Sequence, residues 1–520
     1  MSNYFKVFLS LTIWVSLFIS AYIFSRFTVD DAFISWRYGY NLVHSGYFNY
    51  NPTNLDLTQA YTNPIYALMS IFPAILNIDV VVFFKVISLL MCMFFVVYLY
   101  RKHGVKYGAI IFMAIPATML HISSGLETFL FTILLIVLYD CLRDKNIKLS
   151  IVVVSLLFLV RPESFILSIL VPIYYMTEKE GSANPFVKIK SIFRSKNIKN
   201  YYPLVLVIIL FLILSLHNLY FGSWLPNTFY IKSVNNEVVT SKAIDFFIWC
   251  IPALFFTLFL IKNENTSLFY VFFFLFLAMS INYSMSTLQM DYASRFFFHI
   301  YSPLYFILLI ESKHSKVVGN KERSNALFDV NCFSLLCLSV FMVFFYIQCK
   351  PAELRSLSEY YPRLKTSHAQ IGYSIQDSGA KSMVFSDAGV AAFNSEINAL
   401  DNIGLGSTMV AKYGVNDRVL NAYNPSIVVF KSRPATGIRL KENYQTEIYK
   451  WVEENELIQV CQVYFNSSYS MLVYAKPNLN ITKLQDVCKK SNYNLNGSDE
   501  VFKNYLLVPP WHFWNNDRLI

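Results

Sequence analysis

The most informative scarcity in this sequence of 520 residues is that of charge. Aspartate, glutamate, lysine and arginine together make up 15% of the chain, whereas ordinary soluble domains carry about 25%. Hydrophobic residues make up 55%, aromatic residues alone make up 17%, and the mean hydropathy is +0.42. This composition excludes a disordered chain, a collagen and a simple soluble enzyme. It predicts a protein that crosses a membrane several times.

Cysteine is also scarce, with eight residues and no Cys-x-x-Cys motif. This number and spacing exclude a disulfide framework and argue against a zinc or redox site. Six of the cysteines fall in or beside apolar segments, where they are expected to pack. Cys461 and Cys488 lie in the polar C-terminal part and are able to pair if that part faces an oxidising compartment. The eight histidines show no spacing typical of metal ligands.

Eleven apolar segments predict membrane-spanning helices. We interpret the first, 5–24, as an uncleaved helix and not as a signal peptide, because it is long and is followed by residues typical of a functional site. The other ten lie near 80–100, 107–122, 126–142, 148–160, 164–176, 201–219, 244–262, 267–283, 297–311 and 329–348. Segments 148–160 and 164–176 also fit a single re-entrant hairpin. The shorter stretch 63–77 contains Pro73 and predicts a helix that lies in the membrane interface.

Lysine and arginine are distributed unevenly over the loops between these segments. With the N-terminus inside, the inner loops carry 18 of them and the short outer loops carry 6. This asymmetry is the positive-inside pattern. The formal net charge of +10 therefore indicates orientation in the membrane and contact with lipid headgroups. We expect no nucleic-acid partner, because no nucleic-acid-binding module accompanies the charge.

The sequence changes character after Cys349. Four strand-like runs follow, at 382–386, 426–430, 458–465 and 469–475, with a helical pattern at 443–456 between two of them. The sequence therefore predicts two domains, a polytopic α-helical membrane domain over 1–349 and an α/β domain over 350–520. Eleven spans place the second domain outside the cytoplasm. In a bacterium this corresponds to an inner-membrane protein with a periplasmic C-terminal domain.

Two adjacent carboxylates, Asp30 and Asp31, stand in the first outer loop, 25–62. Ionisable groups at membrane depth are costly and usually functional. If a helix begins here, Asp30 and Arg37 share one face of it. The alternative is that Asp30 is a simple helix cap with a surface ion pair. The carboxylates Asp387 and Asp401 of the C-terminal part are interpreted as turn residues.

The same loop carries a family resemblance. The segments DDAFISWRYGYNLVHSGYFNYNP at 30–52 and AYTNPIYALM at 60–69 resemble integral-membrane GT-C glycosyltransferases, most closely the branch that contains mycobacterial terminal arabinofuranosyltransferases. Ala60 stands where that branch usually has glycine. Shorter segments that resemble the same family follow in order, at 161–163, 222–232, 291–296, 386–389 and 400–405.

The resemblance implies a GT-C-like fold of about eleven spans, with interfacial helices in the first outer loop. It implies transfer of a sugar from a polyprenyl-phosphate donor to an extracytoplasmic glycan, lipid or protein acceptor, usually with inversion. A carboxylate must then take the acceptor proton, and cations must stabilise the departing phosphate. The catalytic candidates are Asp30 and, as the alternative, Asp31. The candidates for binding the donor phosphate are Arg37, Arg161, Lys232 and Arg295. The further substrate-binding candidates are Tyr61, Thr62, Asn63, Glu163, Asn227 and Asp291. Some members of the family use a divalent cation, which the Asp pair alone does not specify.

Two other classes of protein fit parts of the sequence. A transporter or flippase of a lipid-linked glycan would show repeats, or charged residues inside its spans, whereas Lys85 is the one clear basic residue within a predicted span. A non-catalytic membrane scaffold would need neither the Asp pair nor the outer arginines. Structural ion pairs are the plain alternative for the pair Arg161 and Glu163 and for the pair Asp291 and Arg295, and Glu127 fits a carboxylate at a helix start. The clustering of polar motifs in the outer loops favours the glycosyltransferase.

Overall fold

The structure, a computed structural model, is predominantly helical and contains one β-sheet near its C-terminal end. It describes residues 3–105, 107–178, 204–233, 266–284, 290–318, 351–433, 437–438, 443–466, 468–496 and 509–514. The predicted spans 244–262 and 329–348 and the predicted domain boundary at 349/350 lie outside or at the edge of the described residues.

Helices dominate the part before residue 320. They are α1 (Asn3–Phe24), α2 (Asp30–Ser45), α3 (Pro64–Met69), α4 (Ile71–Leu76), α5 (Val80–His103), α6 (Tyr107–Ala114), α7 (Pro116–Ser123), α8 (Thr128–Arg143), α9 (Ile147–Val160), α10 (Leu167–Glu178), α11 (Val205–Phe221), α12 (Asn227–Ser233), α13 (Thr266–Ser284) and α14 (Arg295–Val318). Short 3₁₀ helices, Pro162–Ile166 and Tyr292–Ser294, precede α10 and α14. Each predicted apolar segment within the described residues is helical, and 63–77 forms the two short helices α3 and α4.

Few of these helices are long enough to cross a bilayer unaided. Among the described residues, Val80–His103 and Tyr292–Glu311 have the length and apolar composition of a span. The pair α7 and α8, bent by 101°, would make a third if it formed one broken span. The remaining apolar helices are shorter than the roughly 20 residues of a straight crossing. A protein with about eleven spans therefore stays a prediction.

Local chemistry sets both ends of α5 and the start of α2. The side chain of Asp79 caps α5 by accepting a hydrogen bond from Val82 N at 2.9 Å, and α5 ends at Gly104, whose φ of +66° favours glycine. Helix α2 begins at Asp30 after Val29, which provides no side-chain cap. The alternative that Asp30 caps a helix starting at Asp31 is therefore wrong, because Asp30 is itself the first residue of the helix, a position that favours acidic side chains.

The part after residue 350 combines helices with strands. The helices are α15 (Pro351–Thr366), α16 (His368–Asp377), α17 (Val390–Ser395), α18 (Thr408–Tyr413), α19 (Asp417–Tyr423), α20 (Asn443–Glu454) and α21 (Thr482–Asn496), and a last 3₁₀ helix spans Pro510–Phe513. The strands are β1 (Ser382–Phe385), β2 (Asn398–Asp401), β3 (Ile427–Arg433), β4 (Gly437–Ile438), β5 (Ile458–Asn466) and β6 (Tyr469–Ala475). The four predicted strands and the predicted helix are confirmed, whereas β2 and β4 were not predicted.

The sheet is mixed, with strand order β2-β1-β3-β6-β5 and β4 paired to β3. Strand β1 pairs in parallel with both β2 and β3, whereas β6 pairs antiparallel with β3 and β5. Cys461 on β5 and Cys488 on α21 form a disulfide. The predicted option that these two cysteines pair is thus present in the structure.

The first outer loop packs directly against this sheet. Ile34, Tyr50 and Ala60 share one buried hydrophobic cluster with Met383 of β1 and Val429 of β3. The Asn51 side-chain oxygen also accepts a hydrogen bond from Ala399 N of β2 at 2.8 Å. The loop that carries the family-like motif is therefore in contact with the helices of the N-terminal part on one side and with the C-terminal sheet on the other.

Candidate active site

A cavity of about 520 Å³ opens where the first loop, 25–62, meets the ends of several helices of the N-terminal part. Its walls come from α2, the segment 60–63, the start of α8, the turn after α9, the start of α12, the end of α13 and the start of α14. The polar residues that line it are Asp31, Ser35, Tyr61, Thr62, Asn63, Glu127, Arg161, Glu163, Thr228, Asn282, Tyr283 and Arg295. The cavity thus brings together seven of the twelve site residues predicted from the sequence.

Asp31 is the accessible member of the Asp pair. Its side chain is 33% exposed, and its Oδ2 lies 3.8 Å from Nη1 of Arg295. No other ion pair to Asp31 is formed within the described part of the chain. An accessible carboxylate beside a cation, rather than locked to it, is suited to taking a proton from a bound molecule.

Arg295 is the cation that faces Asp31. It is the first residue of α14, and its guanidinium lies 4.7 Å from the centre of the Phe296 ring and 5.6 Å from that of Tyr292. Its Nε has no hydrogen-bond partner among the described residues. The two aromatic rings contact the guanidinium by cation–π interaction, and a guanidinium so placed at the cavity wall is a candidate for binding an anion.

Arg161 is held differently. Its Nη1 donates to Glu127 at 2.9 Å, and its Nη2 and Nε donate to the two oxygens of Glu163 at 2.7 and 3.1 Å. Burial raises the pKa of Glu163, but the Arg161 guanidinium outweighs burial and holds that pKa below its usual value. Arg161 is therefore neutralised by two carboxylates. The structural ion pair proposed as the alternative for Arg161 and Glu163 is present, at the wall of the cavity.

A hydrogen-bonded chain ties this ion pair to α2. The second oxygen of Glu127 accepts from Nδ2 of Asn63, and Oδ1 of Asn63 accepts from the hydroxyl of Ser35 at 2.7 Å. Ser35 stands one turn after Asp31 on the same helix, and both line the cavity. The network therefore fixes the cavity face of α2 relative to the start of α8.

A second, more apolar cavity of about 270 Å³ adjoins the first. Tyr61, Thr62, Pro162, Phe165 and Pro226 line both cavities, so the two are direct neighbours. The second cavity continues along α11, where its walls are mainly aliphatic and aromatic. An apolar cavity thus lies beside a polar, charged one.

Asp30 lies away from the cavity. It is 7% exposed, and its carboxylate accepts hydrogen bonds from the backbone amides of Gly389 at 3.1 Å and Val390 at 2.8 Å, at the start of α17. Burial raises the pKa of Asp30 to about 6. Gly389 approaches so closely that a Cβ there would lie 2.1 Å from the Asp30 carbonyl oxygen. Asp31, and not Asp30, is thus the carboxylate of the pair that lines the cavity, and the geometry favours Asp31 as the candidate base.

Arg37 is likewise turned away from the cavity. It is 1% exposed, and it donates to the backbone carbonyls of Tyr50, Ala392 and Ile397. Its guanidinium also lies over the Tyr50 ring. Its donors are thus used to hold α17 and the first loop together, so the structure does not place Arg37 where a donor phosphate would enter the cavity.

Three further predicted residues are not among those that line the cavity. Asn227 donates from its side chain to carbonyl groups of the loop after β2. The Asp291 carboxylate accepts from Phe296 N at 3.2 Å at the start of α14. Lys232 belongs to α12, but its side chain lies outside the described part of the structure. No group of three or more His, Cys, Asp or Glu among the described residues is arranged to hold a metal ion.

Sequence reasoning missed several residues of the site. Glu127 was interpreted as a helix-start carboxylate; it does directly precede α8, but its side chain bonds Arg161 and Asn63. Ser35 and Thr228 also line the cavity, but the only feature of the sequence that pointed to them is that they lie inside segments resembling the family. Leu405, in the loop after β2, also lines the cavity, and nothing in its spacing predicts a contact with residues nearly 200 positions earlier.

Comparison with known proteins adds no relative. No family model matches the sequence, and no curated protein matches it. The relation to GT-C glycosyltransferases is therefore a resemblance of motifs.

Proposed function

We propose that the protein is a membrane-embedded glycosyltransferase that moves a sugar from a polyprenyl-phosphate donor to an extracytoplasmic glycan, lipid or protein acceptor. The observation that carries this proposal is the facing pair of Asp31 and Arg295 in one cavity, 3.8 Å apart. The reaction needs a base on one side of the anomeric carbon and a cation beside the leaving phosphate. The cavity holds a candidate for each role, Asp31 for the base and Arg295 for the cation.

The surface of the helical part supports an environment of lipid. Large apolar side chains point outward from several helices, among them Phe94 of α5, 71% exposed, and Leu219 of α11, 81% exposed. Such faces are unfavourable in water and suited to a bilayer. The Cys461–Cys488 disulfide supports an oxidising, extracytoplasmic compartment for the C-terminal domain. We propose on these grounds a polytopic protein of the bacterial inner membrane with its N-terminus in the cytoplasm and the C-terminal domain in the periplasm.

The proposed step is a single displacement. The acceptor hydroxyl oxygen attacks the anomeric carbon while a carboxylate oxygen of Asp31 takes the hydroxyl proton. The bond between the anomeric carbon and the phosphate oxygen breaks, and its electron pair leaves with the lipid phosphate. Arg295 stabilises the negative charge that develops on that phosphate. One displacement inverts the configuration at the anomeric carbon.

The other cavity residues have supporting parts in this proposal. Arg161, already paired with Glu127 and Glu163, keeps the wall in place and limits the net negative charge near the donor. Tyr61 and Thr62 stand where the two cavities join, between the reacting centre and the apolar space proposed for the lipid chain. Lys232 stays a further candidate for contact with the donor phosphate.

The proposal is tested with the full-length protein in lipid nanodiscs. The donors are radiolabelled undecaprenyl-phosphate glucose, mannose and arabinose, and the acceptors are octyl glycosides. Transfer of label to an acceptor that is lost in Asp31→Asn supports the proposal, and transfer that persists in that variant contradicts the role of Asp31. Movement of the same lipids across a liposome membrane without any transfer would instead favour a transporter.

A further inference from the structure

The C-terminal domain reaches the candidate active site through one loop, 402–407, between β2 and α18. Its residue Leu405 lines the main cavity, whereas the other lining residues among those described come from Asp31 to Phe296. This contact joins a domain proposed to lie outside the membrane to the proposed reacting centre. Leu405 and its loop therefore form one wall of the cavity, which a bound substrate would contact.

The loop has a fixed shape. The buried carboxylate of Asp401 accepts from Ile403 N at 2.9 Å and from Gly406 N at 2.8 Å. Gly404 has a φ of +96°, a conformation that favours glycine, and a Cβ on Gly406 would lie 2.7 Å from the Tyr50 ring. Burial raises the pKa of Asp401 to about 6 despite these bonds. The hydrogen bonds to Asp401 thus fix the conformation of the loop, and Leu405 has a defined position at the cavity wall.

The loop is also bound to the membrane-side wall. The Asn227 side-chain nitrogen donates to the carbonyls of Leu405 and Ser407, each at 3.2 Å, and to that of Gly404. Thr228, the next residue of α12, lines the cavity beside this contact. Asn227, predicted from the sequence to bind substrate, therefore positions the loop that does line the cavity.

We infer that loop 402–407 forms the acceptor side of the cavity and that Leu405 is a specificity-determining residue for the acceptor. This inference rests on the proposed function. The apolar cavity proposed for the donor lipid is lined by residues between Phe48 and Pro226, without a contribution from the C-terminal domain among the described residues. The donor lipid and the loop therefore meet the reacting centre from different walls.

The chemistry of the wall indicates the class of acceptor. An aliphatic side chain packs against the C–H face of a sugar ring and gives no hydrogen bond, so it selects by shape. The acceptor proposed here is a sugar residue whose apolar face rests on Leu405 while one hydroxyl points to Asp31. Stereoisomers that turn a hydroxyl toward Leu405 are disfavoured, because that hydroxyl would lose its hydrogen bonds to water.

The experiment compares Leu405→Ala and Leu405→Phe with wild type in nanodiscs. The acceptors are octyl β-glucoside, octyl β-galactoside and octyl α-mannoside, and the donor is whichever of undecaprenyl-phosphate glucose, mannose or arabinose wild type uses. Leu479→Ala and Leu479→Phe are matched controls, since Leu479 is a half-buried loop leucine of the same domain that is not among the lining residues. Donor KM and donor hydrolysis without acceptor are measured in parallel.

We expect the ratio of kcat/KM between two acceptors to change by about tenfold in at least one Leu405 variant, which is the size of effect of a small change in an apolar pocket. Donor KM and donor hydrolysis stay near wild type, and the Leu479 variants keep the wild-type acceptor ratio. An unchanged ratio in both Leu405 variants, with transfer intact, overturns the inference but leaves the proposed function standing. If wild type consumes none of the donors, the proposed function itself is contradicted, and the inference falls with it.

Discussion

Helix α2 has two faces that both carry polar side chains, but the two faces have different surroundings. On one face Asp30 and Arg37 are buried and bonded to backbone groups of the C-terminal domain. On the other, Asp31 and Ser35 line the cavity. Successive residues of a helix are rotated by about 100°, so two adjacent carboxylates do not share a site. The Asp-Asp motif thus combines one residue that holds two parts of the fold together with one that is accessible from the cavity.

Arg37 and Arg295 differ in the same way, since one is bonded within the fold and the other lies at the cavity. The donors of Arg37 are directed at main-chain carbonyls, whereas Arg295 keeps its guanidinium on two aromatic rings with Nε unused among the described residues. A buried arginine bonded to the backbone stabilises a domain contact, whereas Arg295, which lies against two rings and 3.8 Å from Asp31 at the cavity wall, is placed to bind an anion.

The largest expected effect is that of Asp31→Asn. Loss of a positioned general base costs about 10² to 10⁴ in rate, so we expect kcat to fall by that factor. The thermal unfolding temperature should stay near wild type, because the side chain is partly exposed and forms only a long ion pair. The measurement is single-turnover transfer from the radiolabelled donor. A variant that retains wild-type kcat would place the base elsewhere.

Arg295→Gln should come next. Removal of one preorganised donor to a developing anion costs about 10² to 10³ in kcat. Arg295→Lys is the matched variant: it keeps the charge but loses the planar fork, so part of the rate should return. Steady-state kinetics over a range of donor concentrations checks both. Equal rates for wild type and Arg295→Gln would remove Arg295 from the proposed mechanism.

Arg37→Met should lower stability rather than chemistry. Carbonyls of Tyr50, Ala392 and Ile397 would lose a charged donor in a buried place, at a cost of about 3 kcal/mol in the free energy of unfolding. Thermal unfolding in detergent measures the loss, and kcat per folded molecule should stay within a few-fold of wild type. A large fall in kcat with unchanged stability would instead assign Arg37 to the reaction.

The smallest expected effect is a pH dependence that distinguishes wild type from Asp30→Asn. The folded pKa of Asp30, about 6, lies above the usual value, so the folded state takes up a proton before the unfolded state does. Wild type should therefore gain stability relative to Asp30→Asn as pH falls, by about 1 kcal/mol between about pH 7 and about pH 5. Asp401 shifts in the same direction but is present in both proteins, so it cancels. If the free energy of unfolding of the two proteins changed in parallel with pH, this would contradict the burial of the Asp30 carboxylate and the raised pKa that follows from it.

Much of the fold follows from local pattern in the sequence. Apolar segments become helices wherever the structure describes them, and the long strands β3, β5 and β6 follow from runs of apolar and β-branched residues. Strands β2 and β4 were missed because four and two residues leave almost no periodicity. Their strand state depends on pairing with β1 and β3.

The site could be predicted only in part, because seven of the twelve predicted residues line the cavity and the functional roles of the others were not predictable. Asp31, Asn63, Arg161, Glu163 and Arg295 are among the seven that meet in the cavity. The roles of Asp30 and Arg37 depend on Gly389, Val390, Ala392 and Ile397, more than 350 residues away. No short-range pattern in the sequence encodes contacts over that separation, and helical periodicity alone leaves both faces of α2 available to the cavity.

The most direct test of this account is a structure of the protein in nanodiscs with a non-hydrolysable phosphonate analogue of a polyprenyl-phosphate sugar. We predict that the phosphonate group lies within hydrogen-bonding distance of the Arg295 guanidinium, with the anomeric carbon facing Asp31 and the prenyl chain in the adjoining apolar cavity. A phosphonate bound at Arg37, or an anomeric carbon that faces Asp30, would contradict the separation of the two faces of α2.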